Sequence, residues 1–168
     1  MMSIVKLEID DKDMSHIKMN IFNLQIQSLN ASHRVETQEM TDLDIETIIA
    51  NFEKINWRQQ RVLQLQMDGQ SSIFHVIHNE SHEYLKMTLN AFSESEQFEF
   101  KIESNIQLIF PQRELFGLLT RKNKEVFVIK RGNLEQALQS LQAFLNQDKQ
   151  QLEHIYLKSK AKPIPEAS

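Results

Sequence analysis

Three histidines and two glutamates lie close together in the segment His75–Glu83, which reads His-Val-Ile-His-Asn-Glu-Ser-His-Glu. Imidazole and carboxylate groups are ligands of zinc and other transition metals, so this segment is the candidate centre of a metal-dependent enzyme. On a strand, however, His75 and His78 point to opposite faces because side chains alternate with a period of two. Only His78, Glu80 and His82 could then converge around a turn at 79–82. We therefore expect a polar hairpin tip here rather than a metal site.

Scarce residue types exclude several other kinds of chemistry. The three glycines, Gly69, Gly117 and Gly132, stand far apart, whereas the Rossmann fingerprint and the P-loop need closely spaced glycines beside a phosphate. The chain has no cysteine, which excludes thiol nucleophiles and iron–sulfur ligation by cysteine. We expect no cofactor and no catalytic residues.

Two acidic groups could act either as paired hydrolytic carboxylates or as a surface that attracts a basic protein. The first group precedes a helical pattern, where negative charge is favoured, and the second falls in a predicted turn. Neither position is typical of a catalytic pair, so we predict that both groups bind a partner. Their members are Asp42, Asp44 and Glu46 in the first group and Glu94 and Glu96 in the second.

Trp57 is the only tryptophan, and Arg58 follows it at a predicted junction between a helix and a strand. Trp and Arg are enriched at the energetic centres of protein interfaces. A lone Trp also commonly fills the gap between a helix and the end of a sheet. Both interpretations stay open, and we include Trp57 and Arg58 among the predicted partner-binding residues.

The charges are unevenly distributed along the 168 residues. The chain has 19 basic and 23 acidic side chains, a net charge of −4, and a pI of about 5.9. Residues 1–100 contain 8 basic and 16 acidic side chains, and residues 101–168 contain 11 and 7. An acidic pI and sparse aromatics near the basic residues argue against a nucleic-acid partner. Those basic residues are Arg113, Arg121, Lys122, Lys124, Lys130 and Arg131.

The pattern of apolar residues predicts no membrane partner. Charged side chains recur at every second position from Lys6 to Asp10, so the first eleven residues lack the apolar centre of a signal peptide. No later stretch approaches the roughly 20 apolar residues of a membrane span. We therefore expect a cytoplasmic protein.

The first third of the chain predicts strands followed by a helix. Alternating residues indicate a strand at 4–9, and residues 16–29 fit a strand with a bulge near 21–22, two strands, or a helix. Residues 30–40 are predicted to be a connection. A capping box, Thr41 with Asp44, then predicts a helix at 41–55 with Ile45, Ile48 and Phe52 on its buried face.

After Trp57 the apolar period changes to two. It predicts a hairpin of 63–67 with 73–77 around Asp68-Gly69, then strands at 85–91, 98–102 and 106–110, and a last hairpin of 115–120 with 125–130 around 121–124. A helical pattern covers 133–157, with a break at 146–151 that indicates either a kink or an end.

These elements predict an α+β fold. We expect an antiparallel meander sheet of six to eight strands, packed by a helix at about 41–55 and a long C-terminal helix at about 133–157. Residues 1–158 are predicted to form one domain, and residues 159–168 a disordered tail. The sheet face away from the helices should carry polar residues, namely Gln64, Gln66, Lys86, Thr88, Asn90, Lys101 and Glu103.

Three functions fit this description. The preferred one is a non-enzymatic protein-binding module that sequesters or neutralises a basic partner, of the immunity-protein or toxin-inhibitor type. The first alternative is a chaperone or adaptor for a secreted or assembling client, because the predicted order of elements is loosely similar to class I type III secretion chaperones. Those chaperones have a helix where residues 97–110 look like strands. The second alternative is a metal-dependent enzyme that uses His75–Glu83.

Overall fold

The described residues form six antiparallel strands and four helices, two of them C-terminal, in the α+β fold that the sequence predicts. The computed structural model describes residues 20–91, 97–114 and 119–161. The strands are β1 (Phe22–Leu29), β2 (Val35–Leu43), β3 (Ile73–His78), β4 (Tyr84–Ala91), β5 (Phe98–Glu114) and β6 (Leu119–Gly132). The helices are α1 (Ile45–Lys54), α2 (Trp57–Gln66), α3 (Leu134–Leu145) and α4 (Lys149–Lys160). The strand order is β2-β1-β3-β4-β5-β6, and every neighbouring pair is antiparallel.

Helices cover one face of the sheet. The inward side chains of β3 and β4, among them Phe74, Val76 and Met87, are fully buried. Burying one such side chain contributes about 1.5–3 kcal/mol. Polar residues alternate with them on the other side, where Lys86 faces Glu103 and Thr88 faces Lys101 across β4 and β5. We call this second side the open face. Of the residues expected there, Gln64 and Gln66 lie instead on α2.

Residues 22–29 form a strand, so the helical alternative is wrong for this part of 16–29. The register of β1 with β2 shifts between Phe22 and Leu24, but the extra residue lies in β2, between Met40 and Leu43, and β1 pairs with β3 without a shift. The predicted bulge is therefore not found in the described part of this strand. Residues 1–19, with the strand predicted at 4–9, lie outside the described residues.

The predicted connection at 30–40 is wrong, because Val35–Leu43 is strand β2. This strand lies at the edge of the sheet with almost all its side chains exposed, so it lacks the alternation that marks a half-buried strand. The helix that follows β2 therefore begins later than predicted. Thr41 belongs to β2, and the N-cap of α1 is Asp44.

The strand predicted at 63–67 is also wrong, because Trp57–Gln66 is helix α2. Trp57, Gln60 and Leu63 are its buried residues, spaced three apart on one helical face. The alternation of Leu63, Leu65 and Met67 was therefore misleading. Gly69, with φ +75°, does form a turn, but it connects a helix to β3.

The strands predicted at 98–102 and 106–110 are a single long strand, β5. The polar residues between them coincide with a shift in its register with β6 between Glu103 and Gln107. The predicted hairpin tip at 121–124 lies within β6, which begins at Leu119, because polar residues on a two-stranded ribbon look like a turn in sequence.

The C-terminal helical pattern consists of two helices. Helix α3 ends at Leu145, Gln147 has a left-handed φ of 53°, and Asp148 caps α4. The break at 146–151 is therefore a true end. The ring of Tyr156 stacks on Phe110, with centroids 5.6 Å apart, and holds α4 against the β5–β6 ribbon. Helix α4 extends to Lys160, and residues 162–168 lie outside the described residues.

A buried glutamine joins α2 to the end of β1. The Gln60 side-chain oxygen accepts the Leu29 N–H at 2.8 Å, and its amide donates to the Leu29 oxygen at 2.9 Å. Ser72 also donates to Gln60 through its hydroxyl. Replacement by an apolar residue would leave these backbone groups buried without partners.

We expect Gln60→Leu to lower the free energy of unfolding by about 2–4 kcal/mol, because unpaired buried polar groups cost that much. Gln59→Leu is the matched control on the exposed side of the same helix and should change it by less than about 0.5 kcal/mol. Urea denaturation measures both. Equal effects of the two substitutions would show that the Gln60 hydrogen bonds contribute little.

Candidate functional site

Strand β2 and the first turn of α1 form a strongly acidic surface. Residues 35–46 contain five carboxylates and neither lysine nor arginine. All five side chains are exposed, because β2 is an edge strand and α1 begins directly after it. We call this surface the acidic edge; its residues are Glu36, Glu39, Asp42, Asp44 and Glu46.

Two of these carboxylates accept hydrogen bonds from uncharged side chains. Glu36 accepts a hydrogen bond from the Asn30 side-chain amide at 2.6 Å, and Glu39 accepts one from Gln25 at 3.1 Å. Within the described residues, no lysine, arginine or histidine forms a salt bridge with any member of the acidic edge. In the described part of the chain, their negative charge is therefore not neutralised by an ion pair.

Asp42 and Asp44 also shape the backbone. Asp42 has a left-handed φ of 57°, its N–H donates to the Asn23 side chain, and its carboxylate accepts from Asn79 at 3.1 Å. Asp44 accepts the Thr47 N–H at 2.8 Å as the N-cap of α1. Hydrogen bonds from the side chain and the backbone of Thr47 lower the pKa of Asp44 below its ordinary value. Both residues thus combine a structural role with their charge.

A cavity of about 330 Å³ opens on the sheet beside the acidic edge. Glu39 and His75 supply a carboxylate and an imidazole to its wall, and Ile77 supplies apolar surface. Burial, with the nearby charge of Lys86, lowers the pKa of His75, which favours a neutral ring at pH 7. Its Nε2 atom is buried without a hydrogen-bond partner. The cavity could therefore hold a long side chain with a polar end.

Trp57 lies in the core, with 6% of its surface exposed. Its ring packs against Phe52 and Phe100 at 5.2 and 4.9 Å between centroids, so it fills the gap between the helices and the sheet. It also lines a second, mainly apolar cavity of about 300 Å³, together with the exposed Arg58. That cavity lies at the C-terminal end of α1, whereas Asp44 caps the N-terminal end. The ten residues of the helix span about 15 Å. The structure therefore does not bring Trp57 and Arg58 to the acidic edge.

Glu94 and Glu96, the second predicted acidic group, lie outside the described residues.

The histidine segment has the side-chain directions expected of a strand and a turn. His75 lies on the open face, and His78 is buried against Phe22 with both ring nitrogens near partners. Ser81 donates its N–H to Nδ1 at 3.1 Å, and Gln147 approaches Nε2 to 2.8 Å. Among the residues that the structure describes, no three His, Asp or Glu side chains are grouped as a metal site would require.

None of the comparisons with protein-family models, with curated proteins and with solved structures finds a match for this chain. Within the described part of the chain, no helix has the length and apolar character needed to cross a membrane.

Sequence reasoning missed Glu36 and Glu39, because it placed them in a connection. One signal could have found them: twelve consecutive residues with five acids and no compensating base. The signal was divided between two predicted elements and therefore not read as one surface.

We expect Asp44→Ala to destabilise the protein at neutral pH, because α1 loses its cap. The depressed pKa of Asp44 means that its contribution is complete above the ordinary aspartate value of 3.8 and is lost as the pH falls through the lower folded value. The difference from the parent chain should therefore shrink in acid. Urea denaturation at several pH values measures it.

Asp44→Asn is the matched control, since asparagine caps helices equally well without titrating. It should retain most of the stability at neutral pH. A loss as large as that of Asp44→Ala would show that the cap hydrogen bond is not the cause.

Proposed function

We propose that this protein is a non-enzymatic, cytoplasmic protein-binding module that sequesters or neutralises a basic partner protein, in the manner of an immunity protein or toxin inhibitor. The observation that supports this most is the acidic edge. Its carboxylates are exposed, lie on one border of a rigid sheet, and have no salt-bridge partner among the described residues. Such a surface attracts a basic protein over several ångströms and accelerates its association.

The opposite border of the sheet strengthens the proposal. Strand β6 lies five strands away from β2 and carries exposed cations at Lys124, Lys130 and Arg131. One of these, Arg131, binds Glu99 through two hydrogen bonds of 2.8 Å. The uneven charge along the sequence is therefore also uneven in space. A molecule with opposite charge at its two borders orients an approaching basic partner towards β2.

The test begins with gentle purification of the tagged chain from its native source, which should yield a basic protein in one-to-one ratio. The double variant Glu36→Gln and Glu39→Gln should then associate with that protein about tenfold more slowly at low salt, because steering depends on charge. Stopped-flow measurements should also show that the difference narrows as salt increases.

Glu135→Gln with Glu153→Gln is the matched control, since it removes the same charge from α3 and α4. It should leave the association rate within about twofold of the parent chain. If both double variants slow association equally, net charge and not the acidic edge attracts the partner. If neither does, electrostatic capture is wrong.

A further inference from the structure

Among the described strands, the outer border of β2 is an unpaired sheet edge. From Val35 to Met40 every residue pairs with β1 in continuous register, which makes this part of the strand regular. No other strand of the described residues lies on its far side. Outward-facing N–H and C=O groups of an exposed, regular edge are a template for another strand.

Side chains along this edge determine which strand could add to it. Glu36 and Glu39 are three positions apart and therefore point to opposite faces of the sheet. A second β2 strand would add its own carboxylates beside Glu36 and Glu39, and like charges close together are destabilising. A basic strand would instead form opposite-charge pairs with them.

Strand β6 of a second copy is basic but is the poorer occupant. Its register with β5 shifts twice, between Phe100 and Ile102 and between Glu103 and Gln107. Such irregularities bend a strand and interrupt the even spacing of its main-chain groups. Both shifts lie beyond Val126, whereas Leu119–Val126 pairs with β5 without a shift. A second copy is disfavoured mainly because both chains carry a net charge of −4 and repel each other.

The cavity beside β2 gives the added strand a place for one side chain. Ile77 gives the cavity an apolar wall suited to the methylene groups of lysine or arginine, and Glu39 could bind the charged end. The buried, unpartnered Nε2 of His75 adds a polar atom to this wall. Strand addition commonly combines main-chain pairing with pockets for alternate side chains.

We infer that an extended, basic segment of the partner adds to β2 as a seventh strand and places a lysine or arginine side chain in the cavity lined by Glu39 and His75. This inference rests on the proposed function, since it states how the basic partner binds.

The probe is a blocked seven-residue peptide of alternating valine and lysine. Two derivatives of it carry N-methyl groups on alternate residues: one on the odd-numbered residues, the other on the even-numbered residues. Because only alternate residues of a strand turn their N–H groups towards a neighbour, one derivative should bind β2 and the other should not. The readout is amide hydrogen exchange by NMR at about 1 mM peptide, where even weak binding populates the complex.

The inference predicts that alternate amides between Val35 and Met40 exchange about tenfold more slowly with the parent peptide and with one derivative only. Glu39→Gln should weaken this protection severalfold, while Glu135→Gln should not. Equal binding of both derivatives, without protection of β2 amides, would overturn strand addition and leave electrostatic capture standing.

Two further results would count against the inference. One such result is no protection of β2 amides by the parent peptide while association of the native partner still depends on Glu36 and Glu39. That result would show that strand addition is wrong, and it would leave the proposed function standing. Concentration-dependent association of the chain alone, measured by sedimentation and abolished by salt, would identify a second copy as the occupant of the β2 edge.

Discussion

The packing of two aromatic side chains against the sheet fixes the positions of helices α1 and α2. Phe52 contacts Phe74 edge to face at 5.2 Å between centroids, and Trp57 contacts Phe100 in the same way at 4.9 Å. Each such pair contributes about 0.5–1.5 kcal/mol beyond the burial of its apolar surface. Only Ile55 and Asn56 separate the two helices, so these contacts hold both. Asp44 alone separates α1 from β2, and the direction of the acidic edge therefore depends on this aromatic core.

Covering one face of the sheet has consequences for the other surfaces. The four helices of the described residues all pack on the side of the buried strand residues, and none of them covers the open face. The two edges differ in charge and in regularity: β2 is acidic and evenly paired from Val35 to Met40, whereas β6 is basic and its pairing shifts twice. The same contrast explains why we assign partner binding to β2. Exposed acids on an edge strand also discourage pairing between copies of the chain, which limits aggregation.

Sequence periodicity predicted the half-buried elements well and the exposed ones poorly. Strands β3 and β4 were placed almost to the residue, because one side of each faces the core and the other faces solvent. Strand β2 was missed, since an edge strand exposed on both sides has no apolar period. Helix α2 was mistaken for a strand because Leu63, Leu65 and Met67 alternate by chance, while the buried Gln60 is polar and concealed the helical face. Of the predicted partner-binding residues, Asp42, Asp44 and Glu46 came together with Glu36 and Glu39, and Trp57 did not.

The sequence by itself determined the α+β class, the antiparallel sheet, the helix after Asp44 and the excess of acid in the first part of the chain. These properties are local, because period, capping and charge are readable from neighbouring residues. Only the tertiary structure decided that residues 35–46 form one surface at a sheet edge, that Glu39 shares a cavity with His75, and that Trp57 is buried. Those properties depend on strand order and on contacts between residues far apart in sequence, and neither is encoded in the pattern of any single segment.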